Sequence, residues 1–172
     1  MFRIQHCFGP LAIISLHIKA ARFIFAKSRL LGKLYSYILD PIMMAIYSID
    51  MTSYTVNVRR LSISHPVGVL LGGNGIISPG FVIISSGVKF VGRSPASPEY
   101  LSRHSSSSVF ELGNNVFIGV NTVLVGPLKI CNDVIIATMS LVNSDIVEPG
   151  TYAGIPARKI SDTVDMSWFS SS

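Results

Sequence analysis

Cysteine is scarce in this chain, with Cys7 and Cys131 the only two in 172 residues. Two thiols make no disulfide framework, which favours a reducing cytoplasm. Charge is scarce as well: Asp, Glu, Lys and Arg together are 13% of the residues, with nine acidic against fourteen basic. A long apolar run is missing. No stretch reaches the roughly 18 uncharged apolar residues that a membrane-crossing helix needs. The run Leu11–Leu16, preceded by Arg3, breaks at His17-Ile18-Lys19 with no A-x-A-like site nearby, so it does not read as a signal peptide. No basic run interleaves with aromatics in a recognisable module, so nucleic acid is not an expected partner. Histidines number four, and His6 and His17 lie in the first fifty residues, apart from His65 and His104. A histidine zinc centre needs three ligands brought together, so no metal is expected.

What is plentiful is aliphatic side chain at fixed spacing. Apolar residues are 49% of the chain and mean hydropathy is +0.52, high for a soluble protein of this size. Between residues 112 and 147 the chain cuts into sixes, with Leu112, Ile118, Leu124, Ile130, Ile136 and Val142 in one register. Four places on in each block stand Val116, Thr122, Leu128, Val134, Ser140 and Ile146, all apolar or small. A helix repeats about every 3.6 residues and a strand every two, so neither explains a period of six. A strand-and-turn unit stacked into a solenoid does.

The flanks read differently. Residues 1–50 hold Arg3, Lys19, Arg22, Lys27, Arg29 and Lys33 against Asp40 and Asp50, so four of the five net positive charges lie there. Residues 1–48 form a basic amphipathic segment, expected as two or three short helices, with Gly32 weakening the middle and Pro41 opening a new helix. Such a segment fits either peripheral contact with an anionic membrane or packing on a neighbouring subunit. From about Ile49 the pattern is extended. The sixfold register is expected at Leu71, Ile77 and Ile83, while Asn57 falls where an aliphatic should be. Residues 92–111 are Ser- and Pro-rich without periodicity and are expected as a projecting loop of functional importance. The solenoid domain is expected over 49–160, followed by a flexible tail, 161–172, in which Trp168 and Phe169 would anchor to a surface.

Two histidines stand out as general acid–base candidates: His65 in ISHPVGVLLGG and His104 in the loop. Here the residues resemble a family. The sixes, with small Gly113, Gly119, Cys131 and Ala137 at their second positions, are similar to the hexapeptide repeats of left-handed β-helix acyltransferases. Residues 50–160 look like serine acetyltransferases and, more closely, the capsule and O-antigen O-acetyltransferases built like them. The match rests on Asp50 in Ile-Asp-Met-Thr, His65 fifteen residues on, Arg103-His104, and the closing AGIPARKI.

The resemblance implies an all-β solenoid: a left-handed parallel β-helix with three hexapeptides per coil and a short N-terminal helical segment. It further implies His65 as general base with Asp50 as its carboxylate partner, and Ser64, Arg103 and His104 at the acceptor. Acetyl-CoA would be the donor. Gly92 would supply an N–H to the oxyanion, backbone groups at Gly119, Val120, Ala137 and Thr138 would meet pantetheine, and Arg158 and Lys159 would meet the phosphates. Such a base suits the chemistry, because an imidazole with an intrinsic pKa of about 6.5 takes a hydroxyl proton near neutral pH. One departure matters: the serine enzymes carry Asp before the catalytic histidine, and this chain carries Ser64. Losing that ion-pair partner points to a neutral saccharide hydroxyl in a surface polysaccharide, with a free or a lipid-linked acceptor both open. Serine O-acetylation and a non-catalytic scaffold remain the alternatives. A homotrimer sharing its sites between neighbours is expected, in the cytoplasm or at the inner face of the membrane.

Overall fold

A computed structural model of the chain describes residues 8–72, 75–92, 98, 102 and 110–170. Its main body is a β-solenoid whose repeating unit follows from strand geometry. Short three-residue strands turn their first and third side chains inward and the middle one outward, as in Val116–Ile118 and Val134–Ile136. Adding a turn of about three residues makes six per face. Partner strands therefore lie eighteen positions apart: Val116 pairs with Val134, Val123 with Leu141, Phe110 with Leu128. Every one of the twelve positions named from the sixfold pattern is buried, none more than 5% exposed.

One face stacks five parallel strands, β1 (Ile49–Met51), β3 (Val69–Leu71), β5 (Lys89–Gly92), β8 (Val123–Gly126) and β11 (Leu141–Val142). The other two faces share strands in the early coils. β2 (Val56–Ile63) and β4 (Ile76–Ile84) bend from one face to the next without ending; β2 shifts register between Val58 and Arg60, and β4 contains Pro79-Gly80. The second face continues through β6 (Phe110–Leu112) and β9 (Leu128–Ile130). The third continues through β7 (Val116–Ile118), β10 (Val134–Ile136) and β12 (Gly150–Gly154), closed by an antiparallel strand, β13 (Ala157–Ser161). Asn side chains buttress one corner: Asn114 Oδ1 accepts from Phe81 N–H at 2.8 Å, and Asn132 Oδ1 accepts from Asn114 N–H at 2.8 Å.

The register of the early coils differs from the expectation. Ile76 and Ser78 face the interior, at 1% and 3% exposed, and Ile77 faces outward. Asn57 pairs with Ile77 on the outer surface, so it replaces no core aliphatic. Ile83 also points out of the prism and is buried only because Phe81 and Phe169 cover it. Apolar side chains on both surfaces of β4 mislead a period count. The interruption is shorter than expected, since Gly92 ends β5 and Phe110 and Glu111 already belong to β6. Phe110 is fully buried and meets the Phe90 ring edge-on, centroids 5.0 Å apart. These two rings hold the ends of the interruption inside the prism.

The N-terminal segment forms two long helices rather than two or three short ones: α1 (Phe8–Lys27) and α2 (Arg29–Tyr47). Ser28 separates them and caps α2, its Oγ accepting from Leu31 N–H at 3.4 Å. Gly32 is a close-approach site: a Cβ there would fall 2.4 Å from the Phe25 Cα, so only glycine lets the helices meet so closely. Pro41 lies within α2 and does not start a new helix. A buried polar cluster fixes the pair to the first coil. His17 Nε2 lies 2.7 Å from Asp40 Oδ1, Asp40 Oδ2 accepts from Ser53 N–H at 3.1 Å, and Ser36 and Ser53 hydroxyls are 2.8 Å apart.

Residues 161–170, expected as a flexible tail, return to the prism. A short helix, α3 (Ser167–Ser170), buries Phe169 against Phe81 and sets Trp168 against Phe117, tilted by 36° with 4.4 Å between centroids. Apolar burial is the physical reason, since three outward aromatic and aliphatic side chains need a cover.

Candidate active site

One corner of the prism carries most of the candidate residues. It joins the third face to the first, coil after coil, and its chain turns through the left-handed region at Ser48, Gly68, Gly87, Asn121 and Met139, with φ between 53° and 72°. The turns stack by backbone hydrogen bonds: Gly68 N–H to Ser48 O at 2.9 Å, Gly87 N–H to Val67 O at 2.9 Å, Asn121 N–H to Ser86 O at 3.0 Å, and Met139 N–H to Val120 O at 2.9 Å.

His65 sits in this column where the column is irregular. Ile84 to Phe90, Ile118 to Leu124 and Ile136 to Val142 each span six positions, whereas the equivalent Ile63 to Leu71 spans eight. The two additional residues bulge the turn outward. His65 is exposed and itself adopts φ 59°, a left-handed conformation that a non-glycine residue holds at a cost. Ser64, beside it, is tied down by its N–H donating to Ile84 O at 2.7 Å.

Asp50 occupies the outward position of β1 on the adjoining face, opposite Leu70 of β3. Because Gly68 stacks on Ser48, the turn bearing His65 lies over the turn that leads into Asp50. The fold thus brings both residues to the same edge in successive coils. No hydrogen bond or ion pair joins them among the described residues.

Further up the edge lie Gly119, Val120, Ala137 and Thr138. Gly119 has no room for a side chain, because a Cβ would lie 2.7 Å from the Thr138 nitrogen. Its N–H donates to Ile136 O and the Ala137 N–H to Tyr152 O, each at 2.8 Å, so those two amides already serve the coil. The amides of Val120 and Thr138 carry no such bond among the described residues. Strands stack about 4.8 Å apart, so three coils place the Ala137 turn roughly 14 Å from that of His65.

The β12–β13 hairpin caps the edge, with Gly154 N–H donating to Ser140 Oγ at 3.3 Å. Arg158 opposes Ala153 there and is exposed. Lys159 is committed elsewhere: its Nζ lies 2.6 Å from Asp162 Oδ1 and 3.1 Å from Glu148 Oε2. Those carboxylates push the lysine pKa up, and the lysine ammonium in turn holds that of Asp162 down. A cation already matched by two anions is a poor phosphate ligand, so Arg158 is the basic group left at this end.

Gly92 ends β5 opposite Gly126, and Arg103 and His104 lie outside the described residues. Cys131 is half-buried, and loss of hydration raises its thiol pKa.

Two features escaped the linear reading. One is the His17–Asp40 cluster, whose members are 23 residues apart on different helices and leave no spacing signal. Burial and the nearby Asp40 charge also raise the pKa of Tyr35, which lies 3.3 Å from His17 Nδ1. The other is an open groove of about 950 Å³ between α2 and the first coil, walled by Leu34, Tyr37, Ile38 and Met51, with Asp50 and Lys33 among its few charged groups.

No family model matches the chain, and no curated protein matches it. Solved structures do. A serine acetyltransferase from Brucella abortus strain S19 superposes with a TM-score of 0.67 at 19% identity, over 91% of this chain and 59% of that one. Soybean serine acetyltransferase complexed with serine gives 0.69 at 20% identity, over 88% and 57%. The enzyme from Vibrio cholerae O1 biovar El Tor N16961 gives 0.70 at 17%, over 91% and 56%. The chain therefore spans less than two thirds of each of these proteins, and what it has in common with them is the left-handed β-helix fold.

Proposed function

We propose that the protein is an acyl-CoA-dependent O-acetyltransferase that carries an acetyl group from acetyl-CoA to a hydroxyl of a saccharide, in the biosynthesis of a surface polysaccharide. The observation that carries this reading is His65: an exposed imidazole held in a left-handed turn, on a two-residue bulge, at the foot of the edge that runs through Val120 and Thr138 to Arg158. As general base it takes the acceptor proton while the hydroxyl oxygen attacks the thioester carbonyl. The C–S bond then breaks, and the imidazolium returns the proton to the leaving thiolate. Asp50, on the neighbouring strand, orients the ring and stabilises its charged form in the complex. Val120 and Thr138 offer the amides that the coil leaves open, and Arg158 offers a guanidinium to phosphate. Arg103 and His104 belong at the acceptor, and Gly92 at the oxyanion.

The site is half of a cleft completed by a second copy, in a homotrimer working on the cytoplasmic side of the membrane. Likeness to serine acetyltransferases favours L-serine as a second reading, while the neutral Ser64 favours the sugar. Thiol release from acetyl-CoA, measured against a panel of sugars and against L-serine, distinguishes them. His65→Ala is expected to lower the rate by about 10²–10⁴-fold. Full activity in that variant would remove His65 as the base, thiol release with none of the acceptors would remove the enzyme reading, and turnover with serine alone would remove the saccharide.

A further inference from the structure

The outward surface of α2 inverts the usual arrangement of a surface helix. Its inward positions are small or modest, Gly32, Ser36 and Met43, and all are buried. Its large apolar side chains are left open, some of them along the groove beside the first coil: Leu30 is 76% exposed, Leu31 56%, Leu34 52%, Tyr37 80%, Ile38 54% and Ile42 42%. They recur at positions 30, 31, 34, 37, 38 and 42, one continuous stripe along the helix. Leu16 and Phe23 of α1 are as open, at 68% and 67%. A continuous apolar surface of this kind is an interaction face.

Charge identifies the occupant. Lys19, Arg22, Lys27, Arg29 and Lys33 stand exposed or half-buried on the two helices. The sole carboxylate of residues 8–47, Asp40, is turned inward and held by His17 and Ser53. Pairing these two helices with themselves across a two-fold axis would set five cations against five, with Asp50 at the groove as the one exposed carboxylate beside them, which is repulsive on balance. An anionic bilayer surface meets both features, taking apolar side chains below the headgroups and attracting basic ones above. Neither helix is long and apolar enough to cross a membrane.

We infer that α2 lies in the plane of an anionic membrane, with the Leu30–Ile42 stripe inserted and the basic residues of α1 and α2 at the headgroups. The groove beside Asp50 is walled by Leu34, Tyr37 and Ile38 of the same helix, so it opens at that surface, where an acceptor carried on a lipid would arrive. That last consequence rests on the acetyl-transfer reading; the docking itself does not.

Co-sedimentation of the full chain with vesicles tests the docking, with no acetyl-CoA or acceptor present, so that it fails or succeeds apart from catalysis. Binding is expected to vesicles of phosphatidylcholine and phosphatidylglycerol in equal parts, and to weaken strongly on pure phosphatidylcholine. Neutralising Lys27 or Arg29 should cost about fivefold each. Leu31→Glu with Ile42→Glu, at two exposed positions outside the groove, should cost more than tenfold, with the circular dichroism spectrum unchanged. Absence of binding to the anionic vesicles would overturn the inference, as would binding unaffected by the double substitution. Should that substitution instead dissociate an oligomer of a protein that binds no vesicle, the face belongs to a second copy.

Discussion

Replacing His65 by Gly, Ala and Asn separates its chemistry from its conformation. The residue is exposed, so no substitution there removes core contacts. What changes is the backbone at φ 59°. A left-handed residue with a Cβ carries roughly 1–2 kcal/mol of strain, which glycine escapes. Glycine loses about 0.5–1 kcal/mol of that gain through the greater freedom of its unfolded chain. His65→Gly is therefore expected to be more stable than the parent by roughly 0–1.5 kcal/mol, and His65→Asn to lie close to the parent, since Asn tolerates this region. His65→Ala should be less stable than His65→Gly by about 1 kcal/mol. For a chain of this size that is a difference of about 3 °C in Tm, read by thermal melting at one fixed protein concentration. All three should lose acetyl transfer by a similar factor, because none supplies a base. If Ala melted above Gly, the left-handed turn would be refuted. If Asn or Gly kept the parent rate, stability and catalysis would not divide at this residue, and another group would be the base.

Two further predictions probe the interior and the thiol. Phe90→Ala should destabilise by about 4 kcal/mol, since it empties a fully buried site and strips the Phe110 ring of its partner, while the outward Ile77→Ala should cost about 1 kcal/mol or less in a urea titration. Equal costs would mean that the early coils are in the other register. Cys131, whose pKa is raised chiefly by loss of hydration, has a smaller thiolate fraction at any given pH below it, so its alkylation profile should lie at higher pH than that of the urea-unfolded chain. Mass spectrometry of the Cys131 peptide reads this, and a profile displaced to lower pH would contradict the assigned burial.

The repeating body was legible because its physics is local. A three-residue strand with two inward side chains, followed by a short turn, writes a period of six directly into the chain, and from Leu112 to Ile146 every position so identified is buried. The resemblance in residues 50–160 led to the same fold. Legibility failed where a second surface entered. Ile77 and Ile83 are as aliphatic as any core residue, yet both face outward, and only the return of Phe169 over Ile83 explains why the latter is apolar.

Candidate residues divide along the same line. The spacing of Asp50 and His65 is visible in one dimension, and so are the glycine at 119 and the basic pair at 158–159. Tertiary structure decided what each is free to do. It stacked the His65 turn over the turn before Asp50, engaged the Gly119 and Ala137 amides within the coil, and matched Lys159 with two carboxylates from either side in sequence. It also left the large side chains of α2 open, which periodicity alone cannot do, since a stripe has a direction only once something packs against the opposite side. Period and composition are properties of neighbours along the chain and set the solenoid. Availability and facing are properties of neighbours in space, and these set the site.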